Sequence, residues 1–123
     1  MRLPRSRRLT EGNEFRAVRE SGESRVGRHL VIGFLEDPSE QGIRFGFITS
    51  RRVGKAVVRN RVRRQLRAIV REFGAGLPGD LGVKLVTIAR YSASRASYAE
   101  LAEDWQRALR RLAILPGEGQ EER

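Results

Sequence analysis

The chain has 123 residues, a formal net charge of +10, a pI near 11.5 and no cysteine. One domain with a single core fits this length, and the missing cysteines exclude disulfides and thiolate metal sites. The longest apolar runs, such as Leu30 to Ile32, fall far short of the ~20 residues of a membrane span, and no signal-peptide core is present. A soluble cytoplasmic protein with a polyanionic partner is expected.

Residues 1–8 form a short basic arm containing Pro4. Thr10 is a candidate N-cap with Glu11 in the first turn. The helix to about Ser21 would bury Phe15 and Val18 and stop at Gly22. Ser24 to Val26 is a candidate edge strand, and Leu30 to Leu35 reads as a strand. The cluster 37–42 is a turn. Ile43 to Phe47 alternates with period two, and that strand extends to Thr49. A loop at Arg51 to Gly54 leads into a basic helix, which ends in the Gly-rich stretch 74–82. Val83 to Ala89 is apolar on both faces and therefore central. Ser94 to Ser97 offer N-caps for a last helix whose apolar residues Tyr98, Leu101, Ala102, Trp105, Ala108, Leu109 and Leu112 recur at helical spacing. Pro116 and Gly117 stop it, and 116–123 is a polar tail. The pattern predicts an α+β fold: one domain over 9–115, an α/β sandwich of about four strands in a mixed sheet with helices packed on one face.

Protein-borne catalysis has little support. His29 is the single histidine, and a lone His beside a strand is more often structural than catalytic. No Ser/His/Asp or Cys/His set can be assembled, and no Gly-rich loop matches a phosphate-binding fingerprint. The carboxylates are scattered, whereas a two-metal nuclease needs several that converge. Glu100, Glu103 and Asp104 are expected on the exposed side of the last helix, with Glu103 and Arg107 as an i,i+4 pair.

The stretch Arg51 to Arg71 holds nine basic residues and no acidic one. At about 100° per residue, Val58, Val62, Leu66, Ile69, Val70 and Phe73 share one side. Asn60, Arg63, Arg64, Arg67 and Arg71 share the other, with Arg59 and Arg61 on the flanks. Like charges at i,i+4, such as Arg59/Arg63 and Arg63/Arg67, repel unless a polyanion lies across them. The apolar side is Val, Leu and Ile, which argues for a core and against insertion into a membrane surface. Asn60 can both donate and accept, which suits sugar or base edges. Charge alone does not distinguish RNA from DNA.

The order of residues narrows this. Arg59-Asn60-Arg61, inside the run from Gly54 to Arg64, resembles the RNR motif of the bacterial ribonuclease P protein subunit. Arg8-Leu9, Phe15 and Gly22 match its first helix and Ser50-Arg51-Arg52 its Ser-basic-basic lead-in. Ile88-Ala89-Arg90, Ala93, Tyr98 and Leu101 match its last strand and the start of its last helix. The resemblance spans about Leu3 to Leu115.

It implies a left-handed βαβ crossover, which periodicity could not supply because right-handed connections are the rule. It also implies a protein without catalytic residues of its own, which assists a catalytic RNA subunit in removing the 5′ leader of precursor tRNA. Magnesium would be held mainly by the RNA and substrate, with none bound by the protein alone. A monomer in a 1:1 complex with the RNA, and no membrane partner, are expected. Arg51, Arg52, Lys55, Arg59, Asn60, Arg61 and Arg64 would face the RNA subunit. Phe15, Arg19, Arg63 and Arg67 would line a leader-binding cleft between sheet and first helix. On its residues alone, Phe15 reads as a core residue; the resemblance makes it a ring on which a leader base could stack. Some relatives carry aromatics at the positions of Arg19 and Gly33, so charge would supply more of the grip here. Two other readings remain: a structural RNA-binding module such as a ribosomal protein of similar fold, and a self-sufficient metal-dependent nuclease.

Overall fold

A computed structural model describes residues 12–38, 42–74, 77 and 82–112. The basic arm, Thr10 and Glu11, most of the stretch 74–82 and the tail 116–123 lie outside the described residues. The elements are α1 (Gly12–Ser21), β1 (Glu23–Val26), β2 (Leu30–Glu36), β3 (Ile43–Ile48), α2 (Ala56–Phe73), β4 (Val83–Ala89) and α3 (Tyr98–Arg111). Two 3-10 turns, Arg51–Val53 and Tyr91–Arg95, precede α2 and α3.

The sheet order is β1-β2-β4-β3. β1 and β2 form an antiparallel hairpin, β2 pairs antiparallel with β4, and β4 pairs parallel with β3. The mixed, four-stranded α+β architecture and the central position of β4 agree with the sequence. The parallel pair β3–β4 needs a long connection, and α2 supplies it.

Alternation along the strands sorts the side chains onto two faces. Leu30, Ile32 and Phe34 of β2, Ile43 and Phe45 of β3, and Val83, Leu85 and Ala89 of β4 enter the main core. Val62, Leu66, Ile69 and Val70 of α2 and Leu101, Trp105, Ala108 and Leu109 of α3 close over it. Trp105 is fully buried and donates through Nε1 to Thr87 Oγ1 at 3.1 Å, so both buried polar groups are satisfied.

The expectation of helices on one face holds for α2 and α3 and requires correction for α1. Val18 and Phe15 of α1 pack with Val86, Ile88, Leu35 and Ile48, which point away from the main core. The cause was visible in β4: a strand apolar on both faces needs cover on both. Helix α1 approaches the sheet closely at two glycines. A Cβ on Gly33 would stand 3.0 Å from Val18 Cγ1, and one on Gly22 would stand 2.3 Å from Phe34 O. Gly22 therefore stops α1 through close backbone approach, with Gly22 N donating to Val18 O at 2.9 Å.

Helix α3 starts with a capping box. Ser97 Oγ accepts from Glu100 N at 3.1 Å, and Ser97 N donates to Glu100 Oε1 at 2.8 Å. These bonds hold the Glu100 carboxyl below its ordinary value. Tyr98 OH donates to Glu72 Oε1 at 2.7 Å, joining α3 to the end of α2. Burial, then this bond, pushes the Tyr98 hydroxyl up to about 12.

Asp104 overturns another expectation. It is 5% exposed. Its Oδ1 accepts from Arg28 N at 3.0 Å, and its Oδ2 accepts from His29 N and Leu30 N, each at 2.9 Å. The position lies three residues after Leu101 and four before Ala108, inside the buried stripe. Glu100 and Glu103 are exposed as expected, and Glu103 accepts from Arg107.

Candidate nucleic-acid interface

The basic helix emerges from the 3-10 turn that carries Arg51 and Arg52, both exposed. Gly54 makes the turn into α2 with φ 146°, a conformation that side chains disfavour, and a Cβ there would stand 3.2 Å from Val58. Lys55 occupies the N-cap without a side-chain cap bond, and the first turn holds no acidic residue. The partial positive charge of this helix end is thus left uncompensated, beside three cationic side chains.

Along α2, Val62, Leu66, Ile69 and Val70 are buried while Asn60, Arg64 and Arg71 are exposed. Arg59, Arg61, Arg63 and Arg67 lie at intermediate exposure on the flanks. Two of these flanking guanidinium groups, those of Arg61 and Arg63, are held in place by contacts within the fold. Arg61 Nη2 donates to Ser94 O in the turn before α3. Arg63 Nη2 donates to Thr49 Oγ1 at 2.6 Å, just past the end of β3, and Arg63 Nη1 donates to Asn60 Oδ1 at 3.1 Å. Arg61 and Arg63 therefore reach opposite sides of the helix. The oxygen of Asn60 is engaged inside the protein, and its amide N–H groups remain to donate outward.

The candidate cleft residues are distributed over two elements. Phe15 is half-buried against the Val18–Val86 cluster and Arg19 is exposed, both on α1. Arg63 and Arg67 belong to α2, on the other face of the sheet. The end of β3 connects the two groups: Ile48 joins the Phe15 side, and the next residue, Thr49, binds Arg63. Gly33 faces α1, and Val18 already occupies the space above it.

Among the described residues no three His, Cys, Asp or Glu side chains converge as metal ligands. Asp104, the buried carboxylate, spends both oxygens on backbone N–H groups. Among the described residues no helix is long and apolar enough to cross a membrane. Sequence reasoning missed the Arg61–Ser94 and Arg63–Thr49 anchors, because the turn Tyr91–Arg95 carries no periodic signal and Thr49 read only as a strand end.

Fold and surface together define a small α+β domain that presents one arginine-rich helix to a polyanion. A family model described as Ribonuclease P matches residues 3–113. The ribonuclease P protein component of Nocardioides is 41% identical over 114 residues, covering 89% of this chain and 94% of the relative. That of Syntrophomonas wolfei is 38% identical over 103 residues, covering 84% of each. The RNase P protein structure from Thermotoga maritima superposes with a TM-score of 0.72 at 26% identity, covering 89% of this chain and 98% of that one. One from Staphylococcus aureus shares the fold, with a TM-score of 0.79 at 20% identity and coverage of 88% and 96%. The chain belongs to the ribonuclease P protein family.

Proposed function

We propose that this chain is the protein subunit of ribonuclease P, acting as a monomer in a 1:1 cytoplasmic complex with a catalytic RNA. The observation that carries the reading is the two-sided helix α2, with its apolar stripe buried and its arginines anchored on both flanks. The turn 51–53 and the first half of α2, with Arg51, Arg52, Lys55, Arg59, Asn60, Arg61 and Arg64, dock on the RNA subunit. Phe15, Arg19, Arg63 and Arg67 hold the 5′ leader of precursor tRNA, Phe15 by stacking and the arginines by phosphate contacts.

Hydrolysis would belong to the RNA, and magnesium held mainly by the RNA and substrate would supply the chemistry of an activated water there. The protein's part is electrostatic and positional. Its guanidinium groups neutralise phosphates that would otherwise repel one another, which lowers the magnesium needed for assembly.

The test is leader removal from a precursor tRNA at low magnesium and fixed salt. The protein alone cleaves nothing, and adding it to a ribonuclease P RNA restores processing. Arg59→Ala and Arg61→Ala each weaken assembly with the RNA about 10- to 150-fold, in line with roughly 1.5–3 kcal/mol for a charge-assisted contact. Phe15→Ala weakens precursor binding more than mature tRNA binding. Equal losses for the two substrates would remove the leader role of Phe15. Cleavage by RNA-free protein would overturn the accessory role. Co-sedimentation with ribosomal subunits without stimulated processing would favour a ribosomal module instead.

A further inference from the structure

An open pocket of about 540 Å³ lies beside the surfaces assigned above, within the roughly 300–1,000 Å³ usual for small-ligand sites. One wall is the turn Tyr91–Arg95, which contacts both the turn 51–53 and α2. Arg61 secures that junction through Ser94 O. The wall of the pocket is thus tied to α2.

Its lining combines three kinds of group. Tyr91, 60% exposed, offers an aromatic side chain. Arg28 and Arg95 are exposed cations whose guanidinium groups have no hydrogen-bond partner among the described residues, with Glu100 as the neighbouring carboxylate. Glu100 is held by its bond to Ser97 N, and Arg90 Nη1 fastens the rim by donating to Gly27 O at 2.8 Å.

His29, 9% exposed, forms the floor. Ser92 Oγ donates to Arg28 O at 3.1 Å, so its one proton is committed. It must then accept from His29 Nδ1, 2.9 Å away. Neutral His29 is protonated on Nδ1, which makes Nε2 an acceptor. That atom is buried without a partner among the described residues.

Cations suit a phosphate and an exposed ring suits a base. An unpaired nucleotide carries both. We infer that this pocket takes one unpaired nucleotide of the RNA subunit, with its base stacked on Tyr91 and its phosphate held by Arg28 and Arg95. The choice of the RNA subunit over the substrate rests on the proposed role of α2, because Arg61 of α2 is bonded to the turn that forms one wall of the pocket.

The test measures binding of the full chain to the ribonuclease P RNA of Nocardioides across a salt series, for the wild type, Tyr91→Ala, Tyr91→Phe, Arg28→Ala/Arg95→Ala and Arg61→Ala. Tyr91→Ala weakens binding about 5- to 150-fold, the span of one lost base stack, and Tyr91→Phe restores most of it. The double arginine variant lowers the slope of log affinity against log salt by about 0.7 to 1.4. Since the three side chains are exposed, thermal midpoints stay at the wild-type value. Wild-type binding by Tyr91→Ala beside weakened Arg61→Ala overturns the pocket and leaves the α2 reading standing. Wild-type binding by both overturns both. Equal losses in Tyr91→Ala and Tyr91→Phe overturn stacking. A loss seen only when precursor tRNA binds the assembled complex overturns the assignment to the RNA subunit.

Discussion

Replacing Asp104 with alanine should be among the most damaging single changes to the fold, although the residue stands on a helix next to the exposed, charged Glu103. Its carboxylate accepts three backbone N–H groups from Arg28, His29 and Leu30 at 2.9 to 3.0 Å. Bonds to a charged group contribute about 1.5–3 kcal/mol each, and a buried donor left unmade costs about 1–3. Arg28 is exposed, so water can reach its N–H; those of His29 and Leu30 are buried. Two orphaned donors and one rehydrated one give a loss of about 3–5 kcal/mol. For a domain of this size that lowers the thermal midpoint by about 12–20 °C. Asp104→Asn keeps the shape but turns one oxygen into a donor facing donors, and should lose about half as much. Gly27 supplies a second probe, because a Cβ there would lie 2.6 Å from both carboxylate oxygens. Gly27→Ala should therefore displace the carboxylate, and in the Gly27→Ala/Asp104→Ala double variant the two losses should fall well short of additive. Urea and thermal unfolding followed by circular dichroism measure wild type and all four variants. An Asp104→Ala protein within 1 kcal/mol of wild type, or strict additivity in the cycle, would refute the argument.

Two further outcomes concern the helices. Ser97→Ala removes the N-cap of α3 and should cost about 1 kcal/mol near neutral pH. Glu100 is held below its ordinary value of 4.5 by the bonds to Ser97, so its contribution is present above that value and lost as pH falls through the lower folded value. The gap between wild type and Ser97→Ala should therefore shrink in acid, and a gap unchanged down to pH 2 would contradict the capping box. Gly33→Phe should push Val18 and with it α1 off the sheet. Overpacking of this kind costs about 1–3 kcal/mol; an unchanged unfolding midpoint would show that α1 does not press on Gly33.

The long periodic elements were legible in the chain. The i, i+3, i+4 pattern placed α2 and α3, and the double-sided apolar run placed β4 at the centre. The same run contained the information that helices must lie on both faces, which a one-sided layout ignored. Asp104 was misread because residue type outweighed position: its spacing from Leu101 and Ala108 puts it on the buried stripe, and only the turn Gly27–Leu30, distant in sequence, makes a carboxylate tolerable there. Asn60, Arg64 and Arg71 of α2 were correctly placed on the exposed side, and Arg59 and Arg61 on the flanks, whereas Arg63 and Arg67, read as facing outward, lie half-buried on a flank. The anchors of Arg61 and Arg63 were not legible, since Ser94 and Thr49 carry no local signal of meeting a helix more than a dozen residues away.

Those anchors bear on when the surface becomes ordered. Arg61 and Arg63 are long side chains whose rotamer freedom would normally be surrendered on binding, at about 0.5–1.5 kcal/mol each. Here Ser94 O, Thr49 Oγ1 and Asn60 Oδ1 restrain them as the chain folds. The ordering of the two forks is thus part of folding, and an incoming phosphate backbone meets donors already set in place.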